Sequence, residues 1–146
     1  MVSGGVMQIT MKPIGVVHVK AEKVPRHWTV SKLKGKLEID KKYVKGMQDI
    51  KKGQKIIVIF HFNKSTDFLP DHLTQTPPVN KKEHGVFSIC SPLRPNPIGM
   101  SVLDVLDIQD NIISVKGIDM LDKTPILDLK PFIQDKHSCP SYRQDK

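Results

Sequence analysis

No apolar stretch in this chain approaches the roughly 20 residues that a membrane-spanning helix needs. The best run, Ile56 to Phe60, has the length of a strand, so the chain is not expected to cross a membrane. Met1 to Met11 lacks the charged start and apolar centre of a secretory signal, which predicts a cytoplasmic protein. Cysteine is scarce: Cys90 and Cys139 are the whole supply, and in a reducing compartment no disulfide is expected between them. The two commonest nucleotide cradles are missing, since no Gly-x-Gly-x-x-Gly loop follows a strand pattern and no Gly-Lys-Ser/Thr phosphate loop exists. No long segment sustains helical periodicity, which disfavours a doubly wound nucleotide fold. His18, His27, His61, His72, His84 and His137 show no His-x-x-x-His spacing, and no Cys-x-x-Cys occurs, so no bound metal is expected.

What is present describes a folded domain. The length of 146 residues fits one core, and a 38% hydrophobic and 26% charged composition is ordinary globular usage. The formal charge is +8 with a pI near 9.5, which would attract a polyanion such as nucleic acid by counterion release. Lysine carries most of it, scattered from Lys32, Lys34 and Lys36 through Lys41, Lys42, Lys51, Lys52 and Lys55 to Lys81 and Lys82. Biased base composition produces the same pattern. Arginine occurs only at Arg26, Arg94 and Arg143, and its planar fork suits carboxylate or phosphate better than lysine does.

Period-two alternation and turn punctuation predict strands at Ile14 to Val19, Gly35 to Ile39, Lys55 to Phe62, Gly85 to Cys90, Ser101 to Ile108 and Ile112 to Ile118. The continuous run Val58, Ile59, Phe60 suggests a strand covered on both faces. Gln109-Asp110-Asn111 reads as a hairpin turn. Asp40 to Ile50 could form a short helix ending before Gly53, and Pro70 to Lys82 reads as a long surface loop. The expectation is a mainly β chain: a single small β-barrel over 12–134 with short helices and long loops, flanked by fraying tails at 1–11 and 135–146.

Three segments could carry chemistry. Ser91-Pro92-Leu93-Arg94-Pro95-Asn96-Pro97-Ile98-Gly99-Met100-Ser101 holds three prolines and a glycine between two β runs. Each proline fixes φ and Gly99 permits close backbone approach, so Arg94 and Asn96 project from a stiff frame; a structural turn with a solvated arginine is the plainer reading. Gly117 to Pro131 sets Asp119, Asp122 and Asp128 around a Lys-Thr-Pro turn, for acid–base work or simply for capping. Pro25-Arg26-His27 precedes the sole tryptophan, Trp28. His84 and Cys90 stand about 20 Å apart if they share an unbroken strand, which excludes a nucleophile–base pair.

With these segments in view, the chain resembles the TsaA-like (TrmO-type) β-barrel family, whose best-known members methylate N6 of threonylcarbamoyladenosine beside the tRNA anticodon. The likeness spans Pro13 to Pro131. It rests on Pro13-Ile14-Gly15, Pro25-Arg26, Ile59-Phe60-His61, Gly85-Val86-Phe87 with Ser91-Pro92, Arg94-Pro95-Asn96-Pro97-Ile98-Gly99, and Asp119-Met120-Leu121-Asp122 leading to Thr124-Pro125. The resemblance implies an S-adenosyl-L-methionine site formed by Pro25, Arg26, His27, His61, Phe62, Cys90, Met100, Leu121, Asp122, Lys123, Thr124 and Pro125. Family members often carry glutamine where His27 and Phe62 stand and arginine where Cys90 stands. It further implies a homodimer and a tRNA anticodon loop as substrate, with Asp119, Asp122 or His61 as the base. Bacterial members with the tRNA activity commonly have an additional C-terminal domain. A methyltransferase of the same fold acting on another RNA or a small molecule, and a non-catalytic S-adenosylmethionine-binding regulator, are the alternative readings.

Overall fold

The computed structural model describes residues 5–135 and 138–140. The expectation of fraying ends falls in part on residues outside that set. Eight strands follow in order: β1 (Gly15–His18), β2 (Lys34–Ile39), β3 (Lys55–His61), β4 (Thr74–Gln75), β5 (His84–Gly85), β6 (Ile98–Gln109), β7 (Ile112–Lys116) and β8 (Pro125–Pro131). Six of them close into a barrel in the order β1-β2-β7-β6-β3-β8, every pairing antiparallel, while β4 and β5 form a separate two-stranded ladder. Closure leaves the six barrel strands, among the described residues, without an open sheet edge to template aggregation.

Alternation builds the core. β3 turns Ile56, Val58 and Phe60 inward, β2 contributes Leu37 and Ile39, β7 Ile113 and Val115, and β6 Leu103 and Val105. Ile57 and Ile59 are half-buried on the outer face, so the continuous apolar run of β3 is fully covered on the inner side and partly on the other. Asp110 sits at φ 55 in the β6–β7 hairpin, the left-handed geometry that Asp tolerates in a tight turn.

Three sequence expectations are corrected. Gly85 to Cys90 is not a strand: only His84 and Gly85 pair, and Val86–Ser88 winds into a 3₁₀ turn that buries Val86 while Phe87 stands 78% exposed. Without a continuous strand, the separation that ruled out a His84–Cys90 pair loses its basis. Asp40 to Ile50 is a 3₁₀ segment, Lys41–Met47, capped by the Asp40 side chain accepting from the backbone N–H of Lys42. The Lys-Thr-Pro region continues into β8, which closes the barrel between β1 and β3. Prolines at its two ends are compatible with pairing because a terminal strand position need not donate to the ladder.

Candidate functional site

One rim of the barrel is where β3 ends, β6 begins and the β7–β8 connection turns over. The Ser91–Pro97 loop is bound to this rim through its backbone. Phe62 donates its N–H to the Pro97 carbonyl at 2.8 Å, and Ile98 donates to the Asn96 carbonyl at 2.7 Å. Gln75 Nε2 donates to the carbonyls of His72 and Leu93, both at 2.7 Å, fastening the β4–β5 excursion to the same loop. Arg94 works inward: its Nη1 donates to the carbonyls of Ile89 at 3.0 Å and Ser91 at 3.1 Å. The guanidinium thus clasps the backbone on either side of Cys90.

Gly99 is buried in β6 because the Phe60 and Phe62 rings, 5.0 Å apart and edge to face, occupy the space a side chain would need. Opposite them, the β7–β8 connection is tied to β1: Lys123 donates its N–H to the Val17 carbonyl at 2.7 Å, and Val17 donates to the Thr124 carbonyl at 2.9 Å. The buried Thr124 hydroxyl donates to the Leu121 carbonyl at 2.6 Å. Lys123 holds φ at 68, a left-handed conformation uncommon for a side-chain-bearing residue and one that clusters at functional turns.

These elements enclose a cleft of about 810 Å³, within the range of small-molecule sites. Pro25, Arg26, His27, Phe62, Cys90, Met100, Leu121 and Thr124 line it, as do Arg94, Gly99 and Asp119. Asp122 and Lys123 lie on the other side of the same turn and line a second concavity, while His61 and Pro125 line neither. His61 ends β3, half-buried opposite Ile98. Pro95, Asn96 and Pro97 frame the loop without lining the cleft. His27 caps the following 3₁₀ turn, its Nδ1 accepting from the Thr29 N–H at 3.3 Å, and its ring lies 4.9 Å from Trp28.

Asp119 is the carboxylate of the cleft. Ser101, fully buried on β6, donates its hydroxyl to Asp119 Oδ1. Burial pushes the Asp119 carboxyl above its usual range, against the opposing pull of the Ser101 hydrogen bond, His27 and the Trp28 backbone. A carboxylate raised in this way holds a proton more firmly than a solvated one, the property a general base requires. Asp122 behaves oppositely: the Val19 N–H donates to it at 2.9 Å, and this bond holds its carboxyl below the ordinary range, with Lys123 and His18 assisting. Sequence reasoning named Ser101 and Trp28 within candidate segments but gave neither a role in the site, and it missed Gln75. A polar residue at an inward position between Gly99 and Leu103 was the available signal for Ser101.

A closed antiparallel barrel with a mainly apolar cleft at its rim, lined by one carboxylate and walled by a proline-stiffened loop, defines a small barrel built to take a ligand at one end. The model of the tRNA-methyltransferase O N-terminal domain family matches residues 14–138, and the chain belongs to that family. It is 33% identical over 133 residues to a probable S-adenosyl-L-methionine-binding protein of Pyrococcus abyssi, covering 88% of this chain and 71% of that one. It is 37% identical over 83 residues to a tRNA (adenine(37)-N6)-methyltransferase of Mus musculus, covering 57% of this chain and 19% of the mouse protein. Crystalline TrmO from Pseudomonas aeruginosa superposes with a TM-score of 0.70 at 25% identity, covering 94% of this chain. The chain spans 62% of that TrmO chain. Among the described residues, no helix is long and apolar enough to cross a membrane.

Proposed function

We propose that this chain binds S-adenosyl-L-methionine in the rim cleft and directs its methyl group to N6 of threonylcarbamoyladenosine in a tRNA anticodon loop, acting as a homodimer. The observation that carries the reading is Asp119: a carboxylate held by Ser101, raised by burial, in a cleft lined by eight of the twelve residues the family resemblance selects. The cleft fits the cofactor chemically. Trp28, Phe62, Met100 and Leu121 offer apolar surface for an adenine ring and a methionyl chain, and Arg26, exposed at the mouth, suits a carboxylate. When bound, the cofactor supplies an electrophilic methyl group on a sulfonium.

The chain's own work is orientation and proton removal. Holding acceptor and donor in line can contribute roughly 7 to 11 kcal/mol, and the stiff Arg94-to-Gly99 loop and the tethered Leu121–Thr124 turn are built for that. The acceptor nitrogen belongs to a urea-like group and is a poor nucleophile while protonated. Asp119 is placed to accept that proton. An anticodon loop exposes its bases more cheaply than a duplex does.

A second reading, a cofactor-binding protein without transfer, is favoured by the Pyrococcus relative, whose name states binding only. Calorimetry with S-adenosyl-L-methionine, followed by labelled-methyl transfer to tRNA with and without the threonylcarbamoyl group, separates the two. Micromolar-range binding, on the order of −8 kcal/mol, with transfer confined to threonylcarbamoylated tRNA is the expected result. Binding without transfer to any RNA supports the second reading, and no heat at millimolar cofactor overturns both.

A further inference from the structure

Beside the cleft, across the Leu121–Lys123 turn, lies a second concavity of about 920 Å³ on the outer wall of the barrel. Lys20, Lys34, Lys36, Lys64 and Lys123 line it, against two carboxylates, Glu22 and Asp122. Asp122 is already engaged by the Val19 N–H. The neighbouring Glu38 is engaged as well, its Oε1 lying 2.7 Å from His18 Nε2, while His18 Nδ1 lies 3.0 Å from Lys123 Nζ. Among the described residues, the lysines in ion pairs are Lys42, Lys55 and Lys130, none of which lines this wall.

The positive charge is laid out in a row. Lys34 and Lys36 alternate on β2 and face outward; Lys36 has His18 of β1 on one side and Ser114 of β7 on the other, and Lys34 is directly opposite Lys116. Lys116 has Asp104 on its other side, which leaves Lys34 and Lys36 as the outward cations of this strand without a facing carboxylate in the ladder. Alternate residues on a strand face are about 7 Å apart, comparable to the step between successive phosphates of a nucleic-acid chain. Lys64 and Leu121 line both concavities, so the wall and the cleft are continuous.

We propose that this wall is an RNA-backbone groove: Lys34, Lys36, Lys20 and Lys123 hold phosphates flanking a nucleotide whose base enters the cleft, with Lys64 at the junction. The inference rests on the RNA-methyltransferase reading and extends it. A row of cations on three elements matches a polyanion rather than one small anion, which would call for convergent donors. Contacts of this kind position the RNA and leave base recognition to the cleft.

The test is a fluorescence-anisotropy titration of a tRNA anticodon stem-loop at several salt concentrations. It uses the parent protein, Lys34→Gln/Lys36→Gln, and Lys51→Gln/Lys52→Gln as a control on exposed lysines outside both concavities. The Lys34/Lys36 variant is expected to bind roughly tenfold more weakly, with a salt slope shallower by about 0.7 for each single-stranded phosphate no longer neutralised. The control keeps the parent Kd and slope, and calorimetric cofactor affinity is the same in all three. An unchanged Kd and slope in the Lys34/Lys36 variant, an equal weakening in the control, or a parent that binds no RNA overturns the proposal. Loss of binding to phosphatidylserine vesicles with RNA binding intact assigns the wall to a membrane and also overturns it. RNA binding through the groove without methyl transfer removes the proposed activity and leaves the groove standing.

Discussion

Asp122 accepts the backbone N–H of Val19 at 2.9 Å, joining residues 103 positions apart and fixing the turn between the two concavities to the end of β1. The bond holds the Asp122 carboxyl below its ordinary value of 3.8. A depressed folded-state pKa contributes stability that is present above the unfolded value and lost as pH falls through the folded one. Asp122→Asn is therefore expected to melt at a lower temperature than the parent at neutral pH. The two melting curves should converge as the pH falls from 3.8 through the lowered folded-state value, and a difference that persists once the carboxyl is protonated would mean the charge is not the source.

Asp119 carries the opposite sign. Its folded pKa lies above 3.8 because burial disfavours the charge, so the folded state binds the proton more tightly and stability falls as pH rises from that value through the raised one. Asp119→Asn should lack this component, and its melting temperature relative to the parent should climb across that window. If Asp119 is the base, the same variant keeps cofactor affinity while kcat drops by about 10²- to 10⁴-fold. Differential scanning against pH and single-turnover transfer measure the two effects separately. Ser101→Ala, which removes the hydroxyl partner, should raise the Asp119 pKa further and move the pH–rate profile toward alkaline pH.

Arg94→Lys tests the clasp around Cys90. Lysine keeps the charge but cannot reproduce the planar geometry that meets the Ile89 and Ser91 carbonyls. Removing a charge-assisted hydrogen bond there is expected to cost about 1.5–3 kcal/mol, read as a lower denaturant midpoint and at least about tenfold weaker cofactor binding. A variant with parent stability and affinity would make the clasp incidental.

Gly99→Ala should be more damaging than its size suggests. A Cβ there would run into the Phe60 ring and lie 2.7 Å from Cζ of Phe62, forcing apart an aromatic pair that joins core to cleft. Overpacking of this kind costs about 1–3 kcal/mol. Cofactor affinity should fall with it, measured by calorimetry at a temperature where the variant remains folded.

The barrel was legible where burial follows a simple period. β2 and β7 mix polar residues between apolar ones and β3 is a continuous apolar run with alternating burial, and the structure places each within a residue or two of its expected span. β8 was hidden because Pro125, Asp128, Lys130 and Pro131 read as turn chemistry, and only closure against β1 and β3 makes Ile126 a buried core residue. The Gly85–Cys90 error has the converse cause: Val86, Phe87 and Ile89 look like a strand face, but no neighbouring strand pairs with them and Phe87 remains in solvent. For the site, the proline-rich loop and the Asp-x-Thr-Pro turn announced themselves in sequence. The pairing of Ser101 with Asp119 did not, because it depends on which way β6 faces once the sheet has closed.

Closure also orders events in time. The seam sets Gly15 opposite Ile126, so segments near the two ends of the folded region must meet before the rim cleft exists, and long-range pairings of this kind form slowly. A ribosome releases the β1 portion long before it makes β8, and the nascent chain has no completed cofactor site to stabilise its early collapse. Occupancy is then expected to act on the finished barrel, prolonging its lifetime by slowing unfolding while leaving the folding rate nearly unchanged.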